Sequence, residues 1–436
     1  MNKPIKLLLC TYYWPPSGGA GVQRSLKFAK YLQEYSVVPT ILTVESKSAT
    51  YPIIDESLSL EIPENIRIVR TKSWEPFGIY SRLSGKKESP QSGFANEVKP
   101  GLKEKISRFI RGNFFLPDAR RGWNKYALHE AQKLIEKKEI DIVLTSSPPH
   151  SSQLIGLKLK TIYHIPWVAD LRDPWTDIYY SKQLFPTFLA KHIDAYYERK
   201  VLENADKIIV VSKAIKNLFL SKSKKINPDK IIVIPNGFDQ SDFEAIPHKK
   251  NAVFTIAYTG TIAETYDLST FALACKTSFV DRKIPFLIRF AGSSRSMVEP
   301  LLDKYGLSKF SEILPLVRHR KSIEILQKSD ALLLLIPNVK ENEGILTGKL
   351  FEYLGARKPI IGIGPTDGDA AEIVESCHAG KMIPYGDNRQ LSAYLTKLFA
   401  QWQADELEVA NDRIRNFTRQ SQTENLSKEL FELLKL

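Results

Sequence analysis

What most constrains this chain is an alternation that runs along nearly all of its 436 residues. Short apolar runs, each long enough for one buried strand, are separated by turn residues and helix-patterned stretches. The first series is Ile5 to Thr11, Val37 to Val44, Ile140 to Thr145, Ile165 to Ala169, Lys207 to Val211 and Ile231 to Ile234. Unbroken apolar runs suit parallel strands, whose two faces are both covered. Between the first two runs, Val22, Leu26, Ala29 and Leu32 recur at helical spacing, which predicts a helix from about Val22 to Tyr35. A second series follows Pro235-Asn236-Gly237-Phe238-Asp239: Phe254 to Thr259, Phe286 to Ala291, Ala331 to Ile336, Pro359 to Ile363 and Lys381 to Pro384. Helices fit between these runs, for example Ser322 to Lys328 and Leu350 to Ala356.

This pattern predicts the α/β class, with doubly wound parallel sheets. It predicts two Rossmann-like halves with a boundary near Asn236 to His248. The length agrees, at roughly 100–200 residues per domain. Gly78 to Gly101, rich in Ser, Gly, Lys and Pro, reads as a mobile surface loop inserted in the first half.

Several classes are excluded. No apolar run approaches the ~18–20 residues that span a bilayer; the longest is Ala331 to Pro337. Met1 to Cys10 runs straight into Trp14-Pro15-Pro16, so it reads as a first strand rather than a signal peptide. Cys10, Cys275 and Cys377 are odd in number and scattered, which argues against a disulfide framework or zinc site and fits a reducing cytosol. The net charge of +13 favours anionic partners such as nucleotides or an acidic membrane face. No aromatic RNA-binding pattern, zinc finger or basic region is present, so nucleic acid is not expected.

Five stretches carry candidate chemistry. Ser17 to Gly21 lies between a strand and a helix, where the amides of Gly18 and Gly19 could approach an anion; the bland alternative is a tight turn. It is not a dinucleotide fingerprint, because Arg24 stands where the last glycine belongs. In Gly344 to Leu354, Gly348 opens a helix, and Lys349 and Glu352 share one face of it. An ammonium there suits a diphosphate, and a carboxylate one turn on can accept two hydrogen bonds from a ribose diol; an exposed ion pair is the alternative. Leu346, Leu350 and Leu354 form the core stripe. Asp367-Gly368-Asp369 has a metal-binding spelling but reads as a helix cap, with Asp369 at the cap and Glu372 completing it. No metal or other cofactor is expected. After the strand at Trp167, the charged run Asp170, Arg172, Asp173 faces a crevice or forms a salt-bridged loop, and His150 ends another strand in the same way. Finally, Leu102, Ile106, Phe109 and Ile110 lie on one helical face flanked by Lys103, Lys105, Arg108 and Arg111, with Arg120, Arg121 and Lys125 following. The segment Leu102–Phe115 either lies on an anionic membrane or packs on its own domain.

Together the residues resemble the family 4 retaining glycosyltransferases. The matching pieces are Trp14 to Gly19, Ile234 to Asp239, Tyr258-Thr259-Gly260-Thr261 and Lys349 to Gly355. The resemblance implies the GT-B fold, two Rossmann-like doubly wound domains facing across a cleft. It implies an acceptor domain over 1–236 with an insertion at about 78–125, a nucleotide-sugar domain over 237–415, and a last segment, 416–436, crossing back to the first domain as a helix from about Thr423 to Leu436. Glu352 matches the second glutamate of the family's E-x7-E motif, which binds the donor ribose. Gly344 stands at the first, beside Glu343. The basic pair usual after the first strand of the second domain is replaced by Thr261-Ile262-Ala263-Glu264-Thr265, and the first-domain histidine expected around Asp170 to Asp173 is absent. Lys349, Arg289 or Arg172 would then supply the charge.

The residue patterns and the resemblance together place donor binding at Gly18, Gly19, Gly260, Thr261, Arg289, His319, Gly348, Lys349 and Glu352, and catalysis at Asp170, Arg172, Asp173 and Lys349. The resemblance implies transfer of a hexose-type sugar from a UDP-linked donor to a glycan or lipid-linked acceptor in bacterial-type cell-surface polysaccharide synthesis. The implied location is cytoplasmic, on the inner face of the cytoplasmic membrane. The competing readings are a non-catalytic nucleotide-sugar-binding or scaffold protein and a GT-B epimerase. An NAD oxidoreductase is disfavoured by the broken glycine fingerprint.

Overall fold

The computed structural model describes residues 3–75, 101–243, 250–292 and 295–435. Residues 78–100 of the expected surface loop therefore lie outside the described residues. The chain divides into two compact units, Met1–Pro235 with Arg419–Leu436, and Asn236–Thr418.

The first unit carries a seven-stranded, wholly parallel sheet. Its strands are β1 (Ile5–Cys10), β2 (Val37–Val44), β3 (Arg67–Thr71), β4 (Ile142–Ser147), β5 (Trp167–Leu171), β6 (Lys207–Val210) and β7 (Ile231–Val233), in the order β3-β2-β1-β4-β5-β6-β7. Its helices are α1 (Ala20–Leu32), α2 (Leu102–Phe114), α3 (Asn124–Glu136), α4 (Gln153–Tyr163), α5 (Phe188–Asn204) and α6 (Lys213–Lys222). Both faces of the sheet are dry. Along β1, Ile5, Leu7 and Leu9 enter one core and Leu8 and Cys10 the other, the period of two that a strand imposes. The C-terminal helix Arg419–Leu434 packs on α1, where Leu426 and Leu430 join the core of Leu7 and Leu9.

The second unit repeats the plan with six parallel strands, β8 (Phe254–Thr259), β9 (Phe286–Ala291), β10 (Ser311–Leu314), β11 (Ala331–Leu335), β12 (Ile360–Ile363) and β13 (Gly380–Ile383), ordered β10-β9-β8-β11-β12-β13. Its helices are α7 (Leu268–Cys275), α8 (Arg295–Lys304), α9 (His319–Gln327), α10 (Gly348–Ala356), α11 (Asp369–Ser376) and α12 (Asn388–Gln403). Leu333 and Leu335 face one core, Leu332 and Leu334 the other. All three cysteines are buried and free.

Two strands escape the sequence pattern, β3 and β10. Both are edge strands. Arg67-Ile68-Val69-Arg70-Thr71 and Ser311-Glu312-Ile313-Leu314 are only partly covered, so they need no unbroken apolar run. A smaller correction concerns α11. Its cap is Gly368 with no side-chain bond, and Asp369 is the first helical residue.

The packing is tight where α4 crosses the first sheet. A Cβ added at Gly156 would run into the indole of Trp167, which is buried and donates from Nε1 to Thr145 Oγ1 at 2.8 Å. Gly156→Ala is therefore expected to lower unfolding free energy by about 1–3 kcal/mol through overpacking. A urea melt reads this directly; an unchanged midpoint contradicts the packing described.

Candidate functional site

In each sheet the chain starts in the interior and winds outward in both directions. The loops after the two central strands diverge there, which is where open α/β sheets bind ligands. In the second unit those strands are β8 and β11.

Leaving β8, Gly260 adopts φ 107°, and its amide donates to Ala291 O at the end of β9. Gly292, at φ 85°, lies alongside: a Cβ built on it would stand 3.5 Å from Gly260 Cα. Tyr258 donates its hydroxyl to Thr261 O at 2.8 Å and so fixes the turn. Helix α10 is docked onto the same strand by Tyr353, whose hydroxyl accepts from Thr259 N at 3.3 Å. This brings Lys349 over Gly260. A Cβ at Gly260 would lie 2.5 Å from Lys349 Cε and 2.9 Å from Nζ. The bare glycine backbone is what makes room for the lysine stem.

Lys349 Nζ sits 5.3 Å from the centre of the Tyr258 ring. Among the described residues it has no hydrogen bond and no ion pair. Burial pushes its pKa below the ordinary lysine value, and the Glu352 carboxylate opposes that shift. Next to it, Thr347 precedes α10 without capping it, and its Oγ1 is buried with no partner. A half-buried cation, a helix start at Gly348 and an unsatisfied hydroxyl thus converge on one spot. That combination suits an anion.

One turn along α10, Glu352 faces His319 at the start of α9, with Oε1 3.7 Å from Nδ1. The other ring nitrogen of His319 lies 3.2 Å from Asp242 Oδ2. The histidine therefore stands between two carboxylates. Of the residues assigned to donor binding in this unit, the structure brings together Gly260, Thr261, His319, Gly348, Lys349 and Glu352. Arg289 is a correction. It lies within β9, and its Nε donates to Glu312 Oε2 at 2.6 Å on the paired residue of β10. Its charge is spent across the strands. Glu343 is exposed, and its backbone carbonyl accepts from Asp369 N.

In the first unit the central strands are β1 and β4. Asp170, on β5, does not reach an open surface. It is fully buried, takes Arg24 Nη2 at 2.9 Å and Ser146 Oγ at 2.8 Å, and is structural rather than catalytic. Arg24 also donates to Ile234 O and Pro235 O. Arg172 is likewise buried. Its Nε donates to Ser147 O at 2.6 Å, and its guanidinium packs on Gly21, where a Cβ would stand 2.6 Å from Nη1. It fastens α1 to the end of β4 and is not poised for phosphate. Gly18 donates its amide to Ile53 O, so that amide is not available to an anion, while Gly19, at φ 99°, has open space around it.

Two groups remain at the strand ends. Asp173 is half-buried, and burial raises its pKa despite Arg172. His150 stacks on Trp175 with centroids 4.7 Å apart, and its Nδ1 is buried without a partner. Burial and the Arg172 charge hold its pKa down to about 3, so the ring is neutral at ordinary pH. Its type and place at a strand end were visible in the sequence; the stack and the vacant nitrogen were not.

Residues 91–242 match the family model described as Glycosyltransferase Family 4. No curated protein matches the chain by sequence. Solved structures match along essentially the whole chain. A glycosyltransferase from Rickettsia africae is 16% identical with a TM-score of 0.63, covering 100% of each chain. HepE from Anabaena, in complex with UDP-glucose, is 12% identical with a TM-score of 0.61, covering 98% of this chain and 100% of its own. WaaG, a glycosyltransferase involved in lipopolysaccharide biosynthesis, is 14% identical with a TM-score of 0.57, covering 97% and 99%. The family likeness is confined to residues 91–242, and the likeness to the solved structures is one of fold. The chain's two parallel-sheet units, of seven and six strands, are those of the GT-B glycosyltransferases.

Within the first unit the Arg24–Asp170 pair ties α1, β5 and the end of the unit together. Asp170→Asn leaves the guanidinium buried without its counter-charge and is expected to cost about 3–5 kcal/mol. Urea unfolding measures it. A loss below 1 kcal/mol, on the order of a surface pair, would contradict the structural role.

Proposed function

We propose that the second unit binds a nucleoside-diphosphate sugar, UDP-linked, and that the enzyme transfers the sugar with retained anomeric configuration. The acceptor in this reading is a glycan or lipid-linked glycan of a cell-surface polysaccharide. The observation that carries the donor site is Lys349: a desolvated ammonium with no ion pair at contact distance among the described residues, laid over Gly260 beside the start of α10. A buried charge without a partner is costly, and a diphosphate removes that cost.

The chemistry follows from where charge develops. As the glycosidic bond to the diphosphate breaks, negative charge grows on the leaving oxygen. Lys349 and the first amides of α10 face that charge from fixed positions, so little reorganisation is needed. Glu352 accepts both hydroxyls of the ribose and sets the nucleotide's register, with His319 orienting its carboxylate. In the first unit, His150 and Asp173 are proposed to meet the acceptor hydroxyl: neutral Nδ1 and the carboxyl offer it hydrogen-bond partners. Retention rests on the resemblance to the retaining family, and the UDP assignment gains support from HepE, which carries UDP-glucose on the same fold.

Calorimetry with UDP, GDP and ADP tests the donor site. UDP is expected to bind, and Lys349→Met and Glu352→Ala to weaken it by at least about tenfold, near 1.4 kcal/mol. Near-wild-type affinity in both variants would sink the assignment. Because bound diphosphate restores the lysine's charge, binding takes up protons at alkaline pH. Affinity therefore falls as pH rises through the depressed pKa, earlier than an ordinary lysine would produce. Anomeric configuration is read by NMR of the product; an inverted linkage contradicts retention, and UDP release without any acceptor product contradicts transfer.

A further inference from the structure

Helix α5 meets the turn Trp175–Asp177 with two carboxylates one helical turn apart, Asp194 and Glu198. Glu198 is buried and anchors the turn in an ordinary way. It accepts from Thr176 N at 3.3 Å and from Thr176 Oγ1 at 2.7 Å, and Lys222 Nζ lies 3.2 Å from it as its counter-charge. Asp194 is different. Its Oδ1 accepts from the indole Nε1 of Trp175 at 2.8 Å, and among the described residues no cation pairs with it. Burial lifts its pKa to about 7; the Trp175 donor opposes that rise, and the Glu198 and Asp118 carboxylates add to it. A carboxyl group is thus kept in a dry place for the sake of one indole N–H.

The other side of that indole carries the consequence. Trp175 is buried, and the imidazole of His150 lies flat on it, with ring planes 14° apart and centroids 4.7 Å apart. The His150 Nδ1 is buried without a partner. The backbone beyond it is fixed, because Ser151 donates its amide and its hydroxyl to Asp118 at 2.7 and 2.8 Å. That leaves the ring free to turn about its own side-chain torsions. An imidazole without a hydrogen bond takes its orientation from packing, and here the packing surface is one indole face. The indole in turn cannot rotate without taking its N–H from Asp194 and leaving a buried donor unsatisfied.

We propose that Asp194 is a positioning residue of the acceptor site: by holding the Trp175 indole it holds the His150 imidazole in the orientation that meets the acceptor hydroxyl. The proposal rests on the reading of His150 as an acceptor-facing group. Asp194 itself touches no substrate and acts only through two stacked rings. What the relay needs from it is an oxygen that accepts, not a charge. Asparagine in its place keeps that oxygen, whereas leucine fills the space and removes it. The donor-binding residues lie in the other unit, so Asp194 is expected to govern turnover rather than donor affinity.

Two readouts test it. The first is proton NMR of the His150 ring, assigned by its absence in His150→Ala. Stacked on an indole, the protons on Cδ2 and Cε1 are expected upfield of those of an exposed histidine. Asp194→Leu is expected to return them toward the exposed position, and Asp194→Asn to keep them in place. The second is UDP released from UDP-glucose with water as acceptor. Asp194→Leu is expected to lower kcat about tenfold, with KM for UDP-glucose within about twofold of wild type. Asp194→Asn restores kcat, and Asp194→Leu costs nothing more in the His150→Ala background. Trp175→Phe keeps a ring under the imidazole but removes the N–H; it is a second variant with the same expected loss of kcat. Ring protons unmoved by Asp194→Leu overturn the proposal, as does an equal loss of kcat with and without His150. Full kcat in His150→Ala contradicts the acceptor role of His150 and this proposal with it. A wild-type chain that releases no UDP contradicts the donor reading instead, and the ring-proton shifts then decide the proposal alone.

Discussion

A parallel sheet whose first strand lies in its interior must send later strands to both sides, and the loops leaving its two central strands then part. Both units of this chain obey that constraint, between β1 and β4 in one and between β8 and β11 in the other. The gap is a consequence of winding order, not of any particular side chain. What the side chains decide is how each gap is filled. In the second unit two positive-φ glycines keep the strand ends bare, and a lysine from α10 lies over them. In the first unit the equivalent space beneath the strand ends is closed by Arg24, Asp170 and Arg172.

A buried and a half-buried cation show how the same physics gives different roles. Arg24 is saturated: a carboxylate and two carbonyls take its guanidinium, and the fixed fork holds three parts of the unit together. Lys349 is left without a carboxylate at ion-pair distance, and burial depresses its pKa. A saturated buried charge adds rigidity; an unsaturated one stores a preference for an anion. The difference lies in partners that are distant in sequence, 146 residues for Arg24 and Asp170.

This explains what the sequence made legible. Strands with both faces covered announce themselves as apolar runs, so most of each sheet is readable, while the edge strands β3 and β10 are not. Lys349 and Glu352 were readable as a pair because helical spacing is local. The fates of Asp170, Arg289 and Gly18 were not, because each depends on a neighbour supplied by another element: Arg24 from α1, Glu312 from β10, the carbonyl of Ile53. The same holds for α2. Its amphipathic pattern is plain in sequence, but only Gly112 and Asn113 against the Leu184–Thr187 turn reveal that the apolar side faces outward.

The central claim is that Lys349 is a cation kept without a partner so that a diphosphate can complete it. The most direct test is an NMR titration of the Lys349 ammonium, assigned by comparison with Lys349→Arg, in free protein and with saturating UDP. The account predicts a pKa below the ordinary lysine value in the free protein and a marked rise when UDP is bound. An ordinary pKa in the free protein, unmoved by UDP, would contradict it.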